Sequence, residues 1–417
     1  MIPWLFLCAS TIGALFTLNA YVPQRRTGPL VIPSFFAGWL TTELPVHHLA
    51  WQLVATGLFV LAGALDAWQG QLGLGICLAS WLGLLFMLPA AEGAKSVLEA
   101  ALVAGLGPEY ASTIEEPHSR AIETVKPPAR VPLNPFKFAH PHVVAHRGIE
   151  YVPGGGERNS LDVYAPREPV KDAPVLFQIH GGGWVIGNKR EQALPLMHHM
   201  AAQGWVCVTA NYRLSPKATF PDHLVDLKRA IAWIRSEIEH YGGDPHYIAT
   251  TGGSAGGHLC SLVGLTANDP EYQPGFEHVD TKVNAAVPFY GVYDFSNAHK
   301  LQVGVGVDQF VGRTILKKKL SEDPEAFRRA SPMHRMHMDA PPFFIIHGGA
   351  DSLAAVEEAR HFAQMLRGVS DSPVVYAELT GTQHAFEIFH SIRTSHTVQA
   401  VGRFLAWSHS AYLRERS

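Results

Sequence analysis

Charge is spread along this chain in a way that few folds tolerate. The sequence has 33 Lys and Arg and 36 Asp and Glu in 417 residues, yet residues 1–91 hold only four of them: Arg25, Arg26, Glu43 and Asp66. The chain therefore divides into an apolar head and a body of ordinary soluble composition. Four charge-free runs subdivide the head, Met1–Gln24, Thr27–Thr42, Leu44–Leu65 and Ala67–Ala91. A helix needs about 20 apolar residues to span a bilayer. The first, third and fourth runs are long enough, which predicts about three transmembrane helices. The second is short, carries Pro29 and Pro33, and reads as an interfacial or re-entrant stretch. A cleaved signal peptide would place Lys or Arg ahead of its apolar core, whereas Arg25-Arg26 follow the first run, and it would leave the third and fourth runs unexplained. A buried helical hairpin is the competing reading. Two adjacent runs above 20 residues with one Asp between them weigh against it.

With three spans, Arg25-Arg26 and Lys95 fall on one side and Asp66 on the other. The positive-inside rule then puts a multi-pass protein in the inner membrane with its body in the cytoplasm, although Glu92 and Glu99 dilute the second basic signal. Residues 92–139 read as an amphipathic helix, apolar at Val97, Leu98, Ala101 and Leu102, followed by a Pro-rich linker from Lys126-Pro127-Pro128 through Pro132 and Pro135. That helix is expected to lie on the membrane or to cover a site on the body, which occupies 140–417. Cys8, Cys77, Cys207 and Cys260 match neither a disulfide framework nor a zinc pattern. A net charge of −3 without a clustered basic surface argues against a nucleic-acid partner.

The body alternates. Strand-like runs occur at Val143–Val152, Leu161–Tyr164, Val175–His180, Val206–Ala210, Tyr247–Thr251, Ala285–Phe289, Phe343–His347 and Val374–Leu379, with helical patterns at Arg190–Gln203, His223–His240, Ala255–Ala267, Ala355–Arg367 and Ser391–Leu413. This predicts an α/β fold, a mostly parallel central sheet with helices on both faces and an antiparallel early edge. Gly154-Gly155-Gly156 reads as a hairpin turn in that edge. In such sheets ligands bind beyond the carboxyl ends of the strands, so the residues just after each strand carry the chemistry.

Two of those positions are Gly-rich. After Tyr247–Thr251 comes Gly252-Gly253-Ser254-Ala255-Gly256-Gly257, a G-x-S-x-G turn between a strand and a helix. A nucleophile on such a turn projects its Oγ above the sheet, and small neighbours let the chain bend. The Ala255 N–H and the helix N-terminus then face a developing negative charge. After Val175–His180 comes Gly181-Gly182-Gly183-Trp184, read as an oxyanion loop offering the N–H groups of Gly182 and Gly183. A dinucleotide loop would need another glycine spacing and an acidic residue after the next strand, where this chain has Ala210-Asn211-Tyr212-Arg213. The order of the two motifs, with 71 residues from Gly183 to Ser254, is the order an α/β-hydrolase fold requires.

His180-Gly181-Gly182-Gly183-Trp184, Tyr212-Arg213-Leu214-Ser215-Pro216 and the Ser254 elbow together resemble the hormone-sensitive-lipase-like group of α/β-hydrolases, over roughly residues 150–410. The resemblance implies a serine esterase or lipase that hydrolyses carboxylic esters of short or medium acyl chain without a cofactor. It departs at Gly253, where many members carry Asp. The loop Gly348-Gly349-Ala350-Asp351-Ser352-Leu353 resembles the family's acid loop and Gly381-Thr382-Gln383-His384-Ala385-Phe386 its histidine loop, which implies a triad of Ser254, Asp351 and His384. An apolar anchoring head also resembles certain actinobacterial lipase-like proteins. Asp294 after Ala285–Phe289 is the rival acid, and His390, His347 and His180 are the other histidines near strand ends, His180 as a brace for the oxyanion loop. His198-His199 and the pair His334 and His337 lack the carboxylate or Cys that would complete a metal site. The expected partners are a small-molecule ester or lipid and, through the head, a membrane. Transfer of the acyl group to an alcohol, amide or formamide hydrolysis on the same triad, and a non-catalytic binding protein are the alternatives. Residues 296–338, with Leu301, Val305, Phe310 and Val311, are a candidate acyl-pocket wall, and Lys317-Lys318-Lys319 reads as a solvated face.

Overall fold

The structure, a computed structural model, describes residues 1–24, 30–302 and 306–416; Arg25-Arg26, Thr27, Pro29 and Val305 lie outside the described residues. Each strand-like run of the body forms a strand: β1 (Val143–Glu150), β2 (Ser160–Pro166), β3 (Ala173–Ile179), β4 (Val206–Ala210), β5 (Gly243–Gly253), β6 (Ala285–Phe289), β7 (Phe343–Gly348) and β8 (Val374–Leu379). They form one sheet in the order β1-β2-β4-β3-β5-β6-β7-β8. The pairs β1–β2 and β2–β4 are antiparallel and every later pair is parallel, so the early edge is a hairpin and the rest is built of crossovers.

The helices are α1 (Ile2–Tyr21), α2 (Val31–Glu43), α3 (Pro45–Leu61), α4 (Trp68–Leu106), α5 (His118–Thr124), α6 (Leu194–Ala202), α7 (Asp222–Glu237), α8 (Ala255–Leu265), α9 (Val307–Phe310), α10 (Pro324–Arg329), α11 (Val356–Val369) and α12 (Ile392–Arg416). Side chains alternate along each strand, so successive residues serve two cores. Val175, Phe177, Val206 and Val208 face α7, α8 and α11. Leu176, Cys207, Ala249 and Val287 face α6, α12 and the C-terminal part of α4.

The head differs from its reading in two respects. The third run forms a helix of only 17 residues, bounded by Pro45 at its first turn and by Gly63 at φ 83° just beyond its end. By length and composition α1 and α4 are each able to cross a membrane, whereas α2 and α3 qualify only together, as a pair bent by 95°. Moreover, α4 runs through Pro89 without ending at residue 91. The segment read as a separate amphipathic helix is its continuation and packs on the body instead of lying on a membrane or over a site. Leu98 and Leu102 are fully buried in the core shared with β8 and α12. A Cβ on Gly105 would lie 2.7 Å from Val375 Cγ2, so helix and strand touch closely. Ion pairs Arg403–Glu99 at 2.9 Å and His396–Glu92 at 2.8 Å flank this contact.

Within the head α1 and α4 run side by side in the same direction. Trp4 meets Trp68 at 5.8 Å, Thr17 shares a hydrogen bond with Ser80 at 2.8 Å, and Tyr21 donates to the Gly83 carbonyl at 2.7 Å. The return helix α3 places Gln52 against Ser80 at 3.0 Å and Phe59 against Phe6 at 5.3 Å. The end of α1, the start of α3 and the middle of α4 near Gly83 thus share one level, and α2 lies there, with Asn19 of α1 bonded to the Ser34 carbonyl at 2.7 Å.

Candidate active site

Four loops lie at the carboxyl ends of strands β3, β5, β7 and β8, with β6 between β5 and β7. The tightest follows β5. Ser254 adopts φ 58° and ψ −122°, a conformation rare for a residue with a side chain. Its glycine neighbours make this possible by close backbone approach. A Cβ on Gly252 would lie 2.5 Å from the Gly256 carbonyl oxygen, and one on Gly256 2.1 Å from that of Ile179. The Ser254 N–H donates to Phe289 O at 3.0 Å, which pins the turn to the end of β6. Ser254 is half-buried, and Ala255 opens α8, so its N–H is one of those a helix leaves without an internal partner.

The loop after β3 lies directly against this turn. A Cβ on Gly181 would be 2.5 Å from Gly253 O and 3.1 Å from Ser254 Cβ. Gly182 and Gly183 have φ of 114° and 59°, and a Cβ on Gly182 would strike Ile186 O at 2.1 Å. The Gly182 carbonyl accepts from the N–H groups of Val185 and Ile186. Among the described residues neither the Gly182 nor the Gly183 N–H has an acceptor, so both are free for a ligand oxygen. Three side chains hold the loop. Gln192 Oε1 accepts from Gly181 N at 2.6 Å. Trp184 Nε1 donates to His258 Nδ1 at 3.2 Å. His180 stacks on Tyr212 with centroids 4.4 Å apart, and its Nδ1 lies 2.7 Å from Gly181 O. Burial pushes the His180 imidazole down to about 4, so it braces the loop as a neutral ring.

Asp351 and His384 come together from the loops after β7 and β8. Asp351 Oδ2 lies 2.7 Å from His384 Nδ1 and 3.2 Å from His347 Nε2, while Oδ1 accepts from the N–H groups of Leu353 and Ala354, both at 2.8 Å. Burial alone would raise this carboxyl. The adjoining imidazoles and their hydrogen bonds outweigh it and hold the group well below the usual carboxylate range. An ionised carboxylate only accepts, so His384 carries its proton on Nδ1 and leaves Nε2 as the basic nitrogen. Gln383 couples the two loops, because its Oε1 accepts from His384 N at 2.9 Å and Ser352 N at 2.8 Å.

The rival residues are placed elsewhere. Asp294 accepts from Ser296 N at 2.9 Å, Ser296 Oγ at 2.5 Å and Ala298 N at 2.8 Å, with His334 Nε2 3.6 Å away. Burial opposes ionisation there, but these bonds prevail and hold it at about 2; it is a loop carboxylate. His390 packs on Phe138 at 5.5 Å. In the 296–338 region Val311 is buried in the core, and Lys318 and Lys319 pair with Asp323 and Glu322 at 2.5 and 2.6 Å. Phe310 approaches the oxyanion loop, 4.0 Å from where a Cβ on Gly183 would sit. His198 and His199 lie on α6, and among the described residues no group of three His, Cys, Asp or Glu is gathered as metal ligands.

Sequence reasoning missed a second layer. Tyr290 packs on His384 with centroids 4.4 Å apart and donates its hydroxyl to Glu387 at 2.5 Å. It also fills the space beside the departure from the family pattern, since a Cβ on Gly253 would lie 2.6 Å from its hydroxyl. Burial raises the Glu387 carboxyl to about 7 despite the Tyr290 bond. On the far side, α2 of the head touches the histidine loop. Trp39 Nε1 donates to Ala385 O at 2.8 Å, and the Phe35 ring lies 6.1 Å from that of His384. Glu43, at the end of α2, makes a buried ion pair with Arg393 at 3.0 Å. A visible signal was that Glu43 and Glu387 each stand alone in an apolar run.

In sequence and fold the chain is similar to known esterases. Residues 161–366 match the BD-FAE family. The chain is 45% identical to the probable carboxylic ester hydrolase LipM of Mycobacterium tuberculosis over 96% of its own length and 92% of that protein, and 39% identical to esterase LipQ of the same organism over 93% and 87%. Both alignments reach far enough to include the apolar head. Among solved structures, esterase Est2 of Thermogutta terrifontis superposes with a TM-score of 0.52 at 25% identity, covering 64% of this chain and 92% of that one.

Proposed function

The chain belongs to the BD-FAE family of hormone-sensitive-lipase-like α/β-hydrolases and is a carboxylic ester hydrolase, and from that premise we propose that it is a membrane-anchored serine enzyme acting through Ser254, Asp351 and His384. His384 Nε2 takes the Ser254 proton as Oγ attacks the ester carbonyl. Asp351 keeps the imidazole tautomer and stabilises the imidazolium. The N–H groups of Gly182, Gly183 and Ala255 meet the oxyanion of the tetrahedral intermediate, each such donor contributing about 3 kcal/mol. His384 then gives its proton to the leaving alcohol, and water attacks the acyl-enzyme with His384 again as base. The observation that carries this reading is the 2.7 Å His384–Asp351 contact, joined through the Tyr290 ring to the turn where Ser254 is held at φ 58°.

The membrane assignment rests on polarity. In α1 the buried residues are Phe6, Ser10, Gly13, Thr17 and Ala20, while Trp4, Leu5, Ile12, Leu15 and Leu18 are exposed. Small and polar residues facing inward with large apolar ones outward suit a helix bundle in lipid. We read α1, α3 and α4 as the spans, with α2 as an elbow at the body end, and by the positive-inside rule the body as cytoplasmic. A fluorophosphonate probe applied to membranes holding the full chain is expected to label Ser254, and the Ser254→Ala protein neither labels nor turns over ester. Full turnover by that variant would end the triad assignment. Protease added to intact spheroplasts should spare the body; digestion from outside would reverse the orientation.

A further inference from the structure

The apolar head does more than tether the body, because α2 reaches the candidate catalytic base. Its Phe35 stacks on Trp39 with centroids 5.5 Å apart and planes 10° from parallel, and stands edge-on to His384 at 6.1 Å. The Trp39 indole is fixed by its hydrogen bond to Ala385 O and packs on Phe389 at 5.2 Å. Phe35 is only 7% exposed, whereas its neighbour Phe36 is 51% exposed and Ile32 is likewise exposed. The helix thus joins an apolar outer surface to the imidazole within two turns. It precedes the bend of 95° into α3, level with the end of α1 and with α4 near Gly83, where a bilayer surface would lie.

The chemistry turns this placement into a specificity statement. His384 must come within hydrogen-bonding distance of the leaving oxygen, about 3 Å, so the atoms joined to the reacting ester group lie within a few ångströms of its ring. On the side where α2 approaches, that ring meets the edge of Phe35, a side chain without a polar atom. Building on the triad reading above, we propose that α2 is the specificity-determining wall of the active site, against which the apolar chain of a lipophilic ester lies as it enters from the membrane surface, with Phe35 as its inner contact.

The test uses the full chain in proteoliposomes with two ester series, one lengthening the acyl chain on a fixed 4-nitrophenol and one lengthening the alkanol on a fixed acetate. In the Phe35→Ala protein the ratio of kcat/KM for a twelve-carbon chain to that for a two-carbon chain is expected to fall at least about tenfold in one of the series, and Phe35→Leu to restore most of it. The series that responds identifies which half of the ester lies along α2. An unchanged ratio in both series, or an equal loss at every length, would overturn the proposal. The rate of Ser254 labelling by a small fluorophosphonate is read in parallel. Labelling with an unchanged ratio defeats the wall alone, whereas failure of the unaltered protein to label at Ser254 defeats the triad on which it rests.

Discussion

The head and the body bury opposite kinds of residue. In the body the core is built mainly of Leu, Ile, Val and Phe. In the head the buried positions include Ser10, Thr17, Thr41, Gln52, Thr56 and Ser80, linked by bonds such as Thr17 to Ser80 and Ser80 to Gln52, while Leu15, Leu18, Leu58, Leu82 and Phe86 face outward. Water rewards the first arrangement because apolar area is removed from it. It does not reward the second. Helices whose outer face is already apolar associate through close approach of small residues and interhelical hydrogen bonds. Yet the two regions are joined by α4, which takes part in both patterns along one helix, and by Glu43–Arg393, whose partners are 350 residues apart.

This contrast can be broken or sharpened by four measurements. The largest effect is expected in the body: Asp351→Asn should lower kcat by about 10⁴-fold, since the imidazole loses both its tautomer and its counter-charge. A mild loss would return the acid's role to another carboxylate, Asp294 first. Next comes the seam. Replacing Glu43 by Gln leaves Arg393 buried without its partner, and unfolding followed in detergent should show a cost of about 3–5 kcal/mol; replacing both partners with Met should recover most of it. If the single substitution is silent, head and body are independent units. The third compares the cores directly. Phe177→Ala in the body should cost about 3–5 kcal/mol, whereas Ser80→Ala in the head should cost only about 0.6 kcal/mol, and equal values would mean that the head is an ordinary aqueous core.

The smallest effect is a pH dependence. Glu387 and Glu358 are buried, and burial raises both carboxyls from 4.5 to about 7. Between these limits the folded protein holds protons that the unfolded chain has released, so what these two groups contribute to stability is full below about 4.5 and falls as pH rises towards 7, whereas buried imidazoles such as His180, His223 and His258, held low by burial, act in the opposite sense. The urea unfolding midpoint of Glu387→Gln should therefore rise relative to that of the unaltered protein over this interval, and that of the double variant with Glu358→Gln should rise further. A relative midpoint that stays constant would mean that the fold raises neither carboxyl.

Much of the body was legible because its signals are local. Eight apolar runs bounded by turn residues became eight strands, and the loops Gly181–Trp184, Gly252–Gly257, Gly348–Leu353 and Gly381–Phe386 follow strand ends that the apolar runs themselves mark. Boundaries failed where a local rule met a distant partner. The charges from Glu92 onward suggested that a helix ended near 91, but burial of Leu98 and Leu102 against β8 and α12 carries α4 to Leu106. A run of 22 apolar residues suggested a single span, but Pro45 and Gly63 limit α3 to 17.

The sequence by itself determined the division into an apolar head and an α/β body, the antiparallel early edge, and the candidate positions of Ser254 and the glycine loop, because periodicity, glycine and charge act over a few residues; Asp351 and His384 came from the resemblance of their loops to the family's. Only the tertiary structure decided what surrounds them. That Gln383 ties the acid loop to the histidine loop, that Tyr290 occupies the space beside Gly253, and that Phe35 and Trp39 of the head stand beside His384 all depend on side chains brought together by packing. Such pairings follow from how whole elements bury their faces against one another, and no pattern within a short stretch of chain encodes them.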